Sequence, residues 1–120
     1  MSGDGPWTFE RTRGRRNDFD RPRDTDTHQM EKALWYLFAA SRGGANRVRI
    51  VRELRNRPRN ANELAEKLDV DYNTITHHME MLEEHDVVEP SDHDYGKLYF
   101  LTDRFERHAD TFEEITERVT

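Results

Sequence analysis

Only three residues, DVD, separate ANELAEKL from YNTITHHMEML. Both flanking segments carry apolar residues at helical spacing, and so short a connection forces the two helices to pack against each other at once. Leu64, Ala65, Leu68, Val70 and Ile75 supply a small residue and an apolar surround for the crossing. Asn60 followed by Glu63 forms a capping pair for the first of these helices, and Asp71 caps the second. Asp69 stands at the turn position that often holds glycine and tolerates a left-handed conformation at some cost. The spacing therefore predicts a helix-turn-helix over residues 60–85.

The flanking chain fits around this unit. Upstream, MEKALWYLFAAS is apolar enough for a buried helix and stops at Gly43 and Gly44. Asn46 is the expected cap of a following amphipathic helix, RVRIVRELRN, in which Ile50, Val51 and Leu54 share one face and Arg49 and Arg52 the other; Pro58 closes it. Downstream the period changes: VVEP, a polar turn SDHDYG and KLYFLT read as a two-stranded hairpin over 87–101. The final segment, 103–119, repeats Phe105, Phe112 and Val119 every seven residues with Ile115 between them, a helix with a coiled-coil-like seam. The expected order is four helices, a hairpin and a helix: mainly α with a β-hairpin wing.

Residues 1–27 contain Trp7, Phe9 and Phe19 as their only bulky apolar groups among Arg, Asp, Gly and Pro, too few to offset the entropy of ordering. A disordered polyampholyte tail is expected there, with a domain over 28–120. RTRGRR, residues 11–16, could serve as a DNA-touching arm, but the acids of the tail cancel its arginines and favour a solvating role.

Charge and composition narrow the function. The chain has no cysteine, which excludes disulfides, thiolate metal sites and cysteine nucleophiles. No apolar signal core opens it, and ALWYLFAA is too short to span a bilayer, so a soluble cytoplasmic protein without membrane contact is expected. The net charge of −6 speaks mildly against nucleic acid, yet residues 42–60 hold seven arginines against Glu53 alone, a local +6. The polar composition limits the core one copy can bury, and a second copy would help complete it.

On NELAEKLDVDYNTITHHMEMLEEHDVVE and YGKLYFLT the chain resembles the winged helix-turn-helix regulators of the ArsR-like family, from residue 30 to 120. The resemblance implies a homodimer, paired through its first and last helices, that binds operator DNA and usually represses transcription. On this reading Leu34, Trp35, Phe38, Phe105, Phe112, Ile115 and Val119 form the dimer interface. The excess of arginine over lysine, 16 to 3, with acids in surplus, further resembles proteins of salt-loving archaea.

Helical geometry assigns roles within residues 72–84. With Ile75 inward, Met79 and Leu82 lie within about 40° of it and His78 about 60° away, at the core edge, while Asn73, His77 and Glu80 point outward. Asn73 suits adenine, His77 a base edge, and Thr74 and Thr76 a phosphate or thymine methyl; Tyr72 stacks or touches phosphate. Arg42, Arg47, Arg49, Arg59 and Asn60 would hold the phosphate backbone, helped by the free amides at the start of ANELAEKL. His93, Tyr95 and Lys97 are the wing residues, where family members often present arginine.

Other chemistries fit less well. Adjacent histidines diverge by about 100°, and His78 and His85 are about 10 Å apart along the helix, so neither pair suits one metal ion. Phe105 stands where the family's Asp-x-His metal pattern would need histidine. His93 and His108 are left as ligands that only a dimer could bring together. No metal, cofactor or catalytic residue is expected, and any small-molecule effector is unspecified. The rival reading is a winged-helix docking module that binds protein rather than specific DNA.

Overall fold

The computed structural model describes residues 22–91 and 97–119. Helix α1, Pro22–Trp35, continues into a wide π turn, Tyr36–Ala40, closed by the Ser41 amide donating to the Tyr36 carbonyl at 2.9 Å. Then come α2 (Gly44–Asn56), α3 (Ala61–Leu68) and α4 (Tyr72–Glu84), an antiparallel pair β1 (Val88–Pro90) and β2 (Tyr99–Leu101), and two C-terminal helices, α5 (Asp103–Glu106) and α6 (Ala109–Val119). The element order and the mainly helical architecture with a hairpin are those expected.

Local signals explain the central turns. Asn60 and Glu63 form a reciprocal capping box, each side chain bonded to the other's amide. Asp69 ends α3 in the left-handed region at φ 56°, and Asp71 accepts from the Asn73 and Thr74 amides to open α4. The hairpin pairs Val88 with Leu101, Glu89 with Phe100 and Pro90 with Tyr99. A further bridge joins Tyr99 to Arg59, the Tyr99 amide donating to the Arg59 carbonyl at 2.9 Å, so the wing's base is laced to the residue just before α3.

One core unites all elements: Leu34, Leu37, Phe38, Ile50, Val51, Leu64, Ile75, Met79, Leu82, Phe105, Phe112 and Ile115 are among its buried members. Phe112 lies edge-on to both Phe38 and Phe105, with ring centroids 5.0 and 5.5 Å apart. This corrects the expected dimer surface. Leu34, Phe38, Phe105, Phe112 and Ile115 are buried inside one copy, so their apolar seam closes the monomer; only Trp35 and Val119 of that set are exposed, at 37% and 47%.

Three further expectations change. The C-terminal helix is not continuous over 103–119: it turns at Arg107 and His108, where the His108 imidazole bonds to the Arg104 carbonyl at 2.9 Å. Gly43, not Asn46, occupies the cap of α2, and Asn46 lies inside the helix, accepting from Arg49. Helix α1 opens at Pro22, within the segment expected to be structureless, and Asp26 is anchored by an ion pair to Arg104 at 2.6 Å. The arm RTRGRR lies outside the described residues.

Candidate nucleic-acid interface

Helix α4 has two opposed faces. Ile75, His78, Met79 and Leu82 are buried, and Tyr72, Asn73, Thr74, His77 and Glu80 are exposed, the division expected from the sequence. Thr76 is half-buried, and its hydroxyl donates to the Asn73 carbonyl at 2.9 Å. The exposed face changes character along its length, from uncharged groups in the first turns to Glu80, Glu83 and Glu84 in the last.

Beside the start of α4 lies a cleft of about 300 Å³ walled by Asn60, Asn62, Tyr72, Thr76, Lys97 and Tyr99. The Tyr99–Arg59 bridge brings the hairpin to this place, and the capping box orients the first turn of α3 there. The box also occupies the Asn60 and Glu63 amides, so the start of α3 offers an anion fewer donors than expected. Tyr72, Thr76, Asn60 and Lys97 are thus brought together; His93 and Tyr95 lie outside the described residues.

Most of the arginine segment is engaged within the fold. Arg47, expected at phosphate, is 1% exposed. Its Nε donates to the Leu37 carbonyl at 2.8 Å, Nη2 to the Ser41 hydroxyl and, at 2.8 Å, to the Arg42 carbonyl, and Nη1 to His78 Nδ1 at 3.0 Å. Arg59, also expected at phosphate, is 6% exposed and paired with Glu53 at 3.1 Å. Both are withdrawn from the phosphate set: burial and internal partners remove their cationic ends from solvent.

The others divide further. Arg55 pairs with Glu113 on α6 and Arg57 with Glu63. Arg49 remains exposed but donates to Asn46 and to the Leu68 carbonyl at 2.9 Å, tying α2 to the end of α3. Arg42 and Arg52 are exposed and have no ion pair among the described residues. A signal for Arg47 was present: it falls three, four and seven residues before Ile50, Val51 and Leu54, on the apolar stripe of α2.

His78 is 5% exposed. Since a guanidinium only donates, His78 Nδ1 is the acceptor and its proton sits on Nε2. Desolvation first, then the charge of Arg47 and the neighbouring His77, hold its pKa below the ordinary value. Burial likewise lowers the pKa of Arg47. Gly43 is fixed by the same node: φ is +87°, and a Cβ there would stand 2.7 Å from His78 Cε1. At Gly44 a Cβ would meet the Phe38 carbonyl oxygen at 2.7 Å, so the glycine pair lets α2 start against the π turn.

Among the described residues no group of three or more His, Asp or Glu side chains could hold a metal ion, and no helix is long and apolar enough to cross a membrane. No curated protein matches the chain in sequence. Residues 45–90 match a family described as "Helix-turn-helix domain". Among solved structures, the chain is similar to the homodimeric winged helix-turn-helix DNA-binding domain Mb0332 of Mycobacterium bovis, with a TM-score of 0.57 and 17% identity over 86% of this chain and 88% of that one. An ArsR-like transcriptional regulator from a Rhodococcus species gives 0.56 and 21% identity over 82% and 86%. HlyU of Vibrio cholerae gives 0.55 and 14% over 81% and 91%. With α3 and α4 joined by a tight left-handed turn and a hairpin laced in behind them, the chain has the winged helix-turn-helix fold.

Proposed function

We propose that the protein is a sequence-specific double-stranded DNA-binding transcriptional regulator, acting as a homodimer and most simply as a repressor in the cytoplasm. The observation that carries this reading is the exposed, uncharged start of α4, with Tyr72, Asn73, Thr74 and His77 presented beside the cleft that holds Asn60 and Lys97. Such amide, hydroxyl and imidazole groups match base edges in the major groove, where one good side-chain pair discriminates by about 1 to 3 kcal/mol. Arg42 and Arg49 remain as phosphate contacts, with Lys97 of the wing and Arg52, which has no ion pair among the described residues, added to them. The ArsR-like resemblance, including a haloarchaeal type, agrees with this reading and with a sparse set of basic contacts, since salt-screened binding depends on short-range chemistry.

The test is retention of genomic fragments by the purified protein, followed by the same assay with Asn73→Ala and His77→Ala. These changes are expected to relax preference at particular base positions while leaving random-sequence binding nearly unchanged. Equal losses on selected and random DNA would overturn base reading by α4.

A second reading, a docking module, is favoured by one observation: Arg55, Arg57 and Arg59 are ion-paired within the chain and Arg47 is buried on neutral acceptors, so the segment that suggested a phosphate-binding face presents less free charge than its composition implies. Failure of every fragment to be retained in low and high salt would put this reading first.

A further inference from the structure

A buried arginine ordinarily has a carboxylate beside it, because an uncompensated cation in a low-dielectric interior is costly. Arg47 has no ion pair among the described residues. It is satisfied by neutral acceptors from three places: the Leu37 carbonyl in the π turn, the Ser41 hydroxyl and Arg42 carbonyl beyond it, and the imidazole of His78 in the middle of α4. Met81 Sδ, one turn further along α4, lies at 3.5 Å from Nη1. The planar guanidinium is the only side chain that can spread donors over so many directions at once, so lysine is no substitute.

The node therefore links two surfaces. At one end is the π turn, whose wide loop presents the Leu37 carbonyl and whose first residue Tyr36, with the preceding Trp35, is exposed. At the other is α4, where His78 is adjacent to His77 on the reading face, their ring centroids 6.2 Å apart. We propose that Arg47 is a positioning residue which, through neutral His78, fixes the rotation of α4 against the end of the first helix, so that the reading face is correctly presented only while His78 lacks a second proton. The proposal rests on the DNA-reading function above.

Its chemistry is simple. A proton added at Nδ1 removes the acceptor that Nη1 uses and sets a second cation 3.0 Å from the first. Gly43 packs against the imidazole Cε1, so the ring has little room to swing aside without moving the π turn or α4. Titratable groups bearing on the pair are Tyr36 from the π turn, next to Arg47, and His77 from α4 itself; neither supplies a carboxylate to absorb the added charge. Acidification thus acts on the link between the two surfaces rather than on either alone.

Asparagine at residue 78 separates positioning from packing, because its Oδ1 stands where Nδ1 stands yet gains no proton. In the full-length protein, the ratio of affinities for a selected fragment and random DNA is expected to fall as pH drops from 7.5 to 5.5, and to stay level in His78→Asn. The same comparison in a His77→Asn background removes the exposed neighbouring imidazole from the readout. Arg47→Lys is expected to lose discrimination by about fivefold or more at pH 7.5, equivalent to one good base contact. Independently of DNA, amide hydrogen exchange in the unaltered protein should accelerate together in Tyr36–Ser41 and in Tyr72–Glu84 on acidification, and remain slow in both in His78→Asn. If exchange in the two segments responds separately, or not at all, the link is refuted even where DNA is bound. If the protein retains no DNA but the two segments still respond together, the coupling stands and the DNA-reading function falls. An identical pH profile of discrimination in His78→Asn and the unaltered protein overturns the proposal.

Discussion

His78 donates nothing to the charge of the fold, and its neutrality is a condition of its place. Desolvation and the adjacent Arg47 lower its pKa from the ordinary 6.5, so the unfolded chain binds the proton more readily than the folded one. Stability is therefore complete above about pH 6.5 and declines as pH falls from there toward the lowered native value, at up to about 1.4 kcal/mol per pH unit for one proton. Denaturant unfolding at pH 7.5, 6.5 and 5.5 is expected to show this loss, and His78→Asn to flatten it. A stability that holds level or rises across this window in the unaltered protein would contradict the buried neutral imidazole. Arg59 shows a different use of a basic side chain: its guanidinium pairs with Glu53 while its carbonyl accepts from Tyr99, so one residue fastens α2 and the wing.

Among the elements, α4 depends most on its opening. The Asp71 carboxylate accepts from the Asn73 and Thr74 amides at 2.9 and 3.3 Å, and without it the turn that carries the candidate base contacts has two unsatisfied donors. Asp71→Ala is expected to cost about 1 kcal/mol in thermal or chemical unfolding. A loss indistinguishable from zero would mean the cap is idle in solution. These caps were legible in the sequence because Asn-x-x-Glu and an Asp before an apolar-periodic run have local meaning, and Asp69 was legible for the same reason. The partition of α4 was legible too, since 3.6-residue periodicity alone separates Ile75, Met79 and Leu82 from Asn73 and His77. What escaped was the direction of the long basic side chains. Arg47 sits on the buried stripe of α2, but charge suggested solvent, and only tertiary partners from the π turn and α4 make burial tolerable. Arg59 follows Pro58 in extended chain, where no periodicity marks an inward face. The last helix is ambiguous in sequence for a related reason: a heptad-like spacing of Phe105, Phe112 and Val119 does not distinguish a seam for a second copy from a lid on the chain's own core, nor reveal the turn at Arg107 and His108.

At the scale of the whole molecule, Trp35, Tyr36 and Val119 are the large apolar side chains near the first and last helices that are exposed among the described residues, and the proposed partner copy would pack there. Changing Trp35 and Val119 to serine is expected to weaken self-association measured by sedimentation while leaving the helical circular dichroism intact. Phe112→Ala should instead destabilise each copy by about 3 to 5 kcal/mol through the cavity it leaves against Phe38 and Phe105. A stable monomer of the unaltered protein at micromolar concentration would remove dimerisation from the proposal. The salt dependence of DNA binding offers a second check, each phosphate contact contributing about 0.9 to the slope. Arg42→Ala is expected to flatten the slope by about that amount for every sequence; an unchanged slope would take Arg42 out of the contact set. The pairing of Phe38 with Phe112 and of Arg59 with Tyr99 bears finally on how the chain is made. Partners this distant in sequence emerge from a ribosome seconds apart, at about 5 to 20 residues per second. Until β2 arrives the Arg59 carbonyl lacks its Tyr99 partner, and until α6 arrives Phe38 lacks its Phe112 partner. A chain stopped during synthesis short of Phe112 would therefore carry the whole of α4 and still be a client for chaperones.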